Sequence, residues 1–223
     1  MEKKGNIVAV LTADIVKSSL MDVRFKQHLL QVEVKNFLEQ HTRLVDYQAY
    51  RGDEIQFTIA NPEDALLVAS LLRTFIITRT PDEQRYKRLL DVRIAIGIGR
   101  TSELVEHDGE AYILSGHLMD KIGKQRVAVV TAWKEINEVL SLHAMTVDAI
   151  ISKWSKRQAE IMLDVLLDVP REQILLEKNI SSSTLSSFLK KSDAKLLKSV
   201  ILYASKLITE KTDFQDIPNS FNC

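Results

Sequence analysis

The run from Ile7 to Ala13, Ile-Val-Ala-Val-Leu-Thr-Ala, constrains the fold more than any other stretch. It is of strand length and almost wholly apolar, with no alternation, and it leads directly to one acid, Asp14, and a small polar turn, Lys17-Ser18-Ser19. A strand without alternation must be covered on both faces, so the rest of the chain has to supply layers on either side of a sheet. From Leu20 to Gln40 the spacing becomes helical, with Val23, Leu29, Leu30, Val34, Phe37 and Leu38 on one broad face. Leu44 to Tyr50 reads as a second strand, Arg51-Gly52-Asp53 as a turn, and Ile55 to Ala60 as a third strand with period two, which together predict a hairpin.

Asn61-Pro62-Glu63-Asp64 opens the next helix, with Asn61 as N-cap, proline at the first helical position and acids in the first turn. It runs to about Thr78, with Ala65, Leu66, Val68, Ala69, Leu72 and Phe75 inward. Thr80 to Lys87 is polar and reads as a loop. In the strand from Asp91 to Gly99, Val92, Ile94, Ile96 and Ile98 alternate with Arg93, Ala95 and Gly97. Strand, helix, strand, strand, helix, strand is the βαββαβ order of a ferredoxin-like α+β domain. A helix over 111–122, a short strand over 127–131 and a helix over 132–142 complete it.

No further strand is predicted beyond this point, and the character changes between Met145 and Ser155. Gln158 to Leu167 is helical, with Ala159, Met162, Leu163 and Leu166 on one face. Pro170 starts a short helix over Glu172 to Lys178, Asn179 suits a left-handed turn, and Ser181 caps a helix over Ser182 to Lys191. A last helix runs from Asp193 to about Lys211. This succession predicts an all-α helix-turn-helix domain over residues 146–223, following the α+β domain over 1–145.

Lys plus Arg and Asp plus Glu balance at 30 each, so no global field draws the chain to nucleic acid or a membrane. The only cysteine is Cys223, which excludes an intramolecular disulfide. Lys3 and Lys4 precede the first apolar run as in a signal peptide, but Asp14 interrupts it and no cleavage pattern follows. No stretch reaches the ~18 apolar residues of a membrane span. The expectation is a cytoplasmic protein with no membrane partner. The scattered histidines, with no cysteine among them, argue against zinc. Gly97-Ile98-Gly99 lacks the third glycine and the strand-turn-helix context of a dinucleotide motif.

In a βαββαβ sheet the first strand is central and lies beside the hairpin, so Asp14 and Asp53 are predicted neighbours. Two close carboxylates repel unless a positive charge lies between them or one is protonated. A hard divalent cation such as Mg²⁺ or Mn²⁺ meets that need. Arg51 meets it equally, and the pair is then a structural salt bridge; the local pattern leaves both open.

Ala13-Asp14-Ile15-Val16 is similar to the first metal motif of the class III nucleotide cyclases, and Arg51-Gly52-Asp53-Glu54 to the Gly-Asp hairpin that carries their second metal aspartate. The combination most resembles the SatD family. The shared features are the Asp-Ile-Val opening with its Ser-rich turn and Arg-Gly-Asp-Glu-x-Gln-Phe through Gln56 and Phe57. To these add the strand bearing Arg93, Ile96, Gly97, Ile98 and Gly99, and the segment Trp154-Ser155-Lys156-Arg157-Gln158-Ala159-Glu160. The resemblance spans roughly residues 6 to 208 and implies a cyclase-like domain joined to a helix-turn-helix. It implies Asp14 and Asp53 as metal ligands, helped by the backbone carbonyl of Ile15, and Lys17, Ser18 and Ser19 beside triphosphate oxygens. Arg51, Ser115, His117 and Lys121 are further candidate nucleotide contacts. Cyclases complete their sites across a dimer, so a homodimer is implied as well. The matching helix of active cyclases carries an Asn and an Arg. Here Tyr112 to Leu118 has no Asn, and no Arg occurs from Thr101 to Gln125, so binding is expected rather than turnover.

In the C-terminal part, Ser182, Ser183, Thr184, Ser186, Ser187, Lys190 and Lys191 are candidate DNA contacts. The segment has no Arg, Asn or Gln to read a base with two bonds, so any DNA binding should be weak and salt-sensitive. A dimerisation or docking helix pair is the alternative. The expected function is a ligand-responsive regulator. A degenerate cyclase-like scaffold for dimer or partner contacts is the other reading, and an active cyclase stands behind both.

Overall fold

Both faces of the first strand, β1 (Ile7–Ile15), are covered in the computed structural model, which describes residues 6–50, 53–82, 89–102 and 107–213. Its partners are β2 (Leu44–Ala49), β3 (Glu54–Ile59), β4 (Val92–Arg100) and β5 (Val127–Thr131). The sheet order is β2-β3-β1-β4-β5. Neighbouring strands are antiparallel except β4 and β5, which are parallel. The described residues thus form a mixed α/β structure with β1 at the centre of its sheet.

The helices are α1 (Val23–His28), α2 (Lys35–His41), α3 (Ala65–Thr78), α4 (Glu110–Lys121) and α5 (Lys134–Ile151). They continue with α6 (Lys156–Leu166), α7 (Arg171–Glu177), α8 (Ser182–Lys191) and α9 (Ala194–Asp213). Among the described residues no helix is long and apolar enough to cross a membrane.

Alternate residues of β1 go to opposite layers. Ala9, Leu11, Ala13 and Ile15 join Phe57, Ile96 and the apolar side of α3 in the main core. Val8 and Val10 meet Ala111 of α4 on the other face. Two covered faces account for the unbroken apolar run. Helix α4 lies directly on β4: a Cβ at Gly97 would sit 2.3 Å from the Ala111 carbonyl oxygen and 2.5 Å from the Ser115 nitrogen. Gly97 is therefore there for close packing of helix on sheet.

Four local readings are revised. The helix predicted over 20–40 starts after Asp22, whose carboxylate accepts from the Arg24 and Phe25 amides at 3.0 Å. Its middle, Leu29–Val34, is π-helical; the changed bonding there goes with a Tyr47 hydroxyl that donates to the Leu30 carbonyl. Asn61 sits at an N-cap position but makes no side-chain cap bond, because its amide donates instead to Asp64 Oδ2 at 3.2 Å. The helix predicted over 132–142 runs from Lys134 to Ile151, since Ala144, Val147, Ile150 and Ile151 continue its buried stripe. The predicted loop from Thr80 to Lys87 lies mostly outside the described residues.

Helix α5 passes unbroken through residue 145. The main core also contains Trp154, Ala159 and Met162 of the α6 region and Leu197, Ile201, Ala204 and Ile208 of α9. A smaller cluster, Ile161, Ile174 and Leu185, with Ile180 and Phe188 beside it, ties α6, α7 and α8 together. Asn179 adopts φ 49° between α7 and α8, and Ser181 caps α8 by accepting from the Thr184 amide at 3.1 Å.

An ion network that no local pattern announces joins the layers. Arg73 of α3 is fully buried. Its Nε donates to Asp91 Oδ1 at 2.8 Å and its Nη2 to Asp91 Oδ2 at 3.0 Å and Ser152 Oγ at 2.8 Å. Its Nη1 reaches Asp148 Oδ1 at 2.9 Å and the Asp148 carbonyl at 3.3 Å. Arg126 adds a bond from Nε to Asp91 Oδ2 at 3.1 Å and one from its amide to Asp148 Oδ2 at 2.8 Å. The guanidinium is thus fully hydrogen-bonded, as a buried charge has to be.

Candidate cation site at the sheet end

The hairpin and β1 bring the two aspartates together. Asp14 lies directly opposite Glu54 of β3, and the Ile15 amide donates to the Asp53 carbonyl at 3.2 Å. On the other side Asp14 pairs with Arg93 of β4. The chain leaves β1 through Val16, whose amide donates to the Asp91 carbonyl at 2.9 Å. It then turns through Lys17, which is left-handed at φ 58°, into the 3-10 turn Ser18–Leu20. That turn carries the Ser18 hydroxyl to Asp53, where it donates to Oδ2.

Arg93 supplies the positive charge at Asp14. Its Nε donates to Asp14 Oδ2 at 3.1 Å, its Nη2 donates to the same oxygen, and its Nη1 lies 3.5 Å from the Gly123 carbonyl. Arg51, the charge expected from the sequence, lies outside the described residues. Arg93 sits on β4, on the face opposite Val92 and Ile94 as the alternation predicts, but its pairing with Asp14 requires the register.

Among the described residues, several acids crowd this end of the sheet. Burial, first, pushes the Asp14 carboxyl above its ordinary range; the Arg93 guanidinium opposes this, and the charge of Asp53 adds to it. Glu54 is raised as well, by burial and then by the charges of Asp14, Asp53 and Asp120. Carboxylates crowded at one strand end are a group for which a bound cation is favourable. Their hard oxygen donors suit Mg²⁺ or Mn²⁺. Among the described residues no group of three or more His, Cys, Asp or Glu side chains converges as a metal cluster. A cation here would rest on the aspartate pair, backbone oxygens and groups of its own.

The remaining predicted contacts divide. The Ile15 side chain is buried in the core, so only its backbone faces the turn. Lys17 and Ser19 are exposed in the turn that follows β1. Ser115 is fully buried between α4 and the sheet. It accepts from the Thr12 hydroxyl at 3.2 Å and donates to the Tyr112 carbonyl at 3.1 Å, while Gln56 Nε2 donates to Thr12 at 3.1 Å. His117 and Lys121 are exposed and, two and six residues on, turn away from Ser115, so these three do not form one surface.

In the C-terminal helices, Ser182, Ser183, Thr184, Ser186, Ser187, Lys190 and Lys191 are all exposed on α8. Four of the hydroxyls already have an internal partner: Ser183 and Thr184 bond the Ser181 hydroxyl at 2.9 and 2.8 Å, and Ser182 and Ser186 bond Arg171. Arg171 Nη2 donates to Ser182 Oγ at 2.9 Å, to Ser186 Oγ at 3.1 Å and to the Ser182 carbonyl at 3.0 Å, which braces α8 against α7. Compared with known proteins, the chain matches no family model, and no curated protein matches it.

Proposed function

We propose that the chain is a ligand-responsive regulator of the SatD type. In this reading, the sheet end at Asp14 and Asp53 binds Mg²⁺ or Mn²⁺ and, with it, the phosphates of a nucleotide. The observation that carries the reading is the meeting of two aspartates, about forty residues apart in sequence, at one strand end where their charges disfavour each other. A bound cation neutralises both and offers a template for phosphate oxygens. Lys17, Ser18 and Ser19, in the turn just beyond β1, are the groups placed to meet those oxygens.

The order β2-β3-β1-β4 supports the ferredoxin-like reading, with β5 added at the edge. The short α7, the left-handed Asn179 and the capped α8 support a helix-turn-helix. That module contacts DNA through α8, or docks on a partner, and so reports the state of the first site. The absence of Arg between Thr101 and Gln125 supports binding without cyclase turnover.

Thermal unfolding with Mg²⁺ or Mn²⁺ and each nucleoside triphosphate tests this. A ligand at ~100 times its dissociation constant adds ~2.7 kcal/mol. One nucleotide should stabilise the wild type only when metal is present, and leave Asp14→Ala/Asp53→Ala unchanged. No stabilisation by any pairing would make the acids structural and the chain a scaffold.

A further inference from the structure

We infer that Arg93 is a tethered counter-cation that makes the site select a divalent cation carried on a polyphosphate over the free cation. This rests on the reading of Asp14 and Asp53 as cation ligands. Arg93 does not grip Asp14 in the usual two-oxygen fork. Both of its bonds go to the single oxygen Oδ2, while Nη1 leans on the neutral Gly123 carbonyl. The guanidinium therefore stands where a metal approaching Oδ2 would have to stand. The Asp14 side chain is 17% exposed and the Arg93 side chain 36%, so the arginine can swing while its backbone stays in β4.

Displacing it has a charge consequence. A free cation that takes Oδ2 leaves the guanidinium without a counter-ion beside a second positive charge. A cation that arrives with phosphate oxygens brings that counter-ion, in the planar geometry a guanidinium binds best. Arg93 thus opposes the first ligand and favours the second. The other acids at this end, Asp53, Glu54 and Asp120, attract the metal of both ligands but repel the phosphates of the second, so they favour the free cation and Arg93 works against them.

The test is calorimetric binding of Mn²⁺ alone and of Mn²⁺ held on excess inorganic tripolyphosphate, with wild type and Arg93→Gln, each checked for folding by thermal unfolding. A folded Arg93→Met serves equally if Arg93→Gln does not fold. Removing the competing charge should tighten free Mn²⁺ roughly tenfold. Removing the phosphate partner should weaken the tripolyphosphate complex by roughly the same factor. Affinities that move in the same direction, or do not move, overturn the role of Arg93 and leave the cation site standing. Failure of wild type and variant to bind either probe overturns the Asp14/Asp53 reading and this inference with it.

Discussion

Replacing Arg73 by methionine should destabilise the protein far more than any surface change. Arg73 is fully buried and gives bonds to both Asp91 oxygens, to Ser152 Oγ, and to the side chain and carbonyl of Asp148. Methionine fills much of the same volume, so the loss is electrostatic rather than a cavity. Asp91 keeps Arg126 and its own bond from the Val92 amide at 2.9 Å, and Asp148 keeps the Arg126 amide. Both carboxylates nonetheless face each other across a vacated charge, with side chains only 23% and 17% exposed. Breaking a buried pair from one side typically costs about 3–5 kcal/mol. For a chain of this size that corresponds to a fall in Tm of roughly 6–20 °C. The assay is urea unfolding followed by circular dichroism, with the m-value checked for constancy. Arg73→Met/Asp91→Asn/Asp148→Asn should recover much of the loss, since neutralising a whole buried group is often close to neutral. A single Arg73→Met that costs no more than about 1 kcal/mol, near the centre for point substitutions, would refute the reasoning.

Gly97→Ala should cost about 1–3 kcal/mol, because its Cβ would meet the Ala111 carbonyl at 2.3 Å and push α4 from the sheet; equilibrium unfolding reads it. In metal-free buffer the raised Asp14 carboxyl makes a pH-dependent contribution that is fully present below its ordinary value of 3.8 and lost as pH rises through its folded value. Asp14→Asn should therefore be at least as stable as wild type at neutral pH, and this advantage should disappear in acid. A less stable variant at neutral pH would mean that the Arg93 bond outweighs burial. Binding of random duplex DNA at low salt should weaken as salt rises and weaken further in Lys190→Glu/Lys191→Glu. Absence of low-salt binding would assign α8 to docking.

What the sequence revealed depended on how far apart the interacting residues lie. Strand alternation in Ile55 to Ala60 and Val92 to Ile98, and the apolar stripe of α3, are local patterns and located these elements directly. The meeting of Asp14 and Asp53 followed from strand order. Arg93 was harder, because placing it opposite Asp14 needs the register between β1 and β4, which no single segment carries. The Arg73 network was hidden altogether. Its members come from α3, α5 and the residues just before β4 and β5, and Arg73 lies among the buried, mostly apolar residues of α3. The local pattern ends α5 too early, at 142, for a related reason. Its later buried residues, Ala144 to Ile151, pack in the core that α6 and α9 share, so the stripe has meaning only with those helices in place.

Titration of the wild type with Mn²⁺, followed by the paramagnetic resonance signal of free ion, tests the central claim most directly. Loss of free signal saturating at one equivalent per chain, and abolished in Asp14→Ala/Asp53→Ala that still unfolds cooperatively, is the predicted result. Unchanged free Mn²⁺ with both the wild type and Arg93→Gln, or equal uptake by the folded double variant, would contradict it.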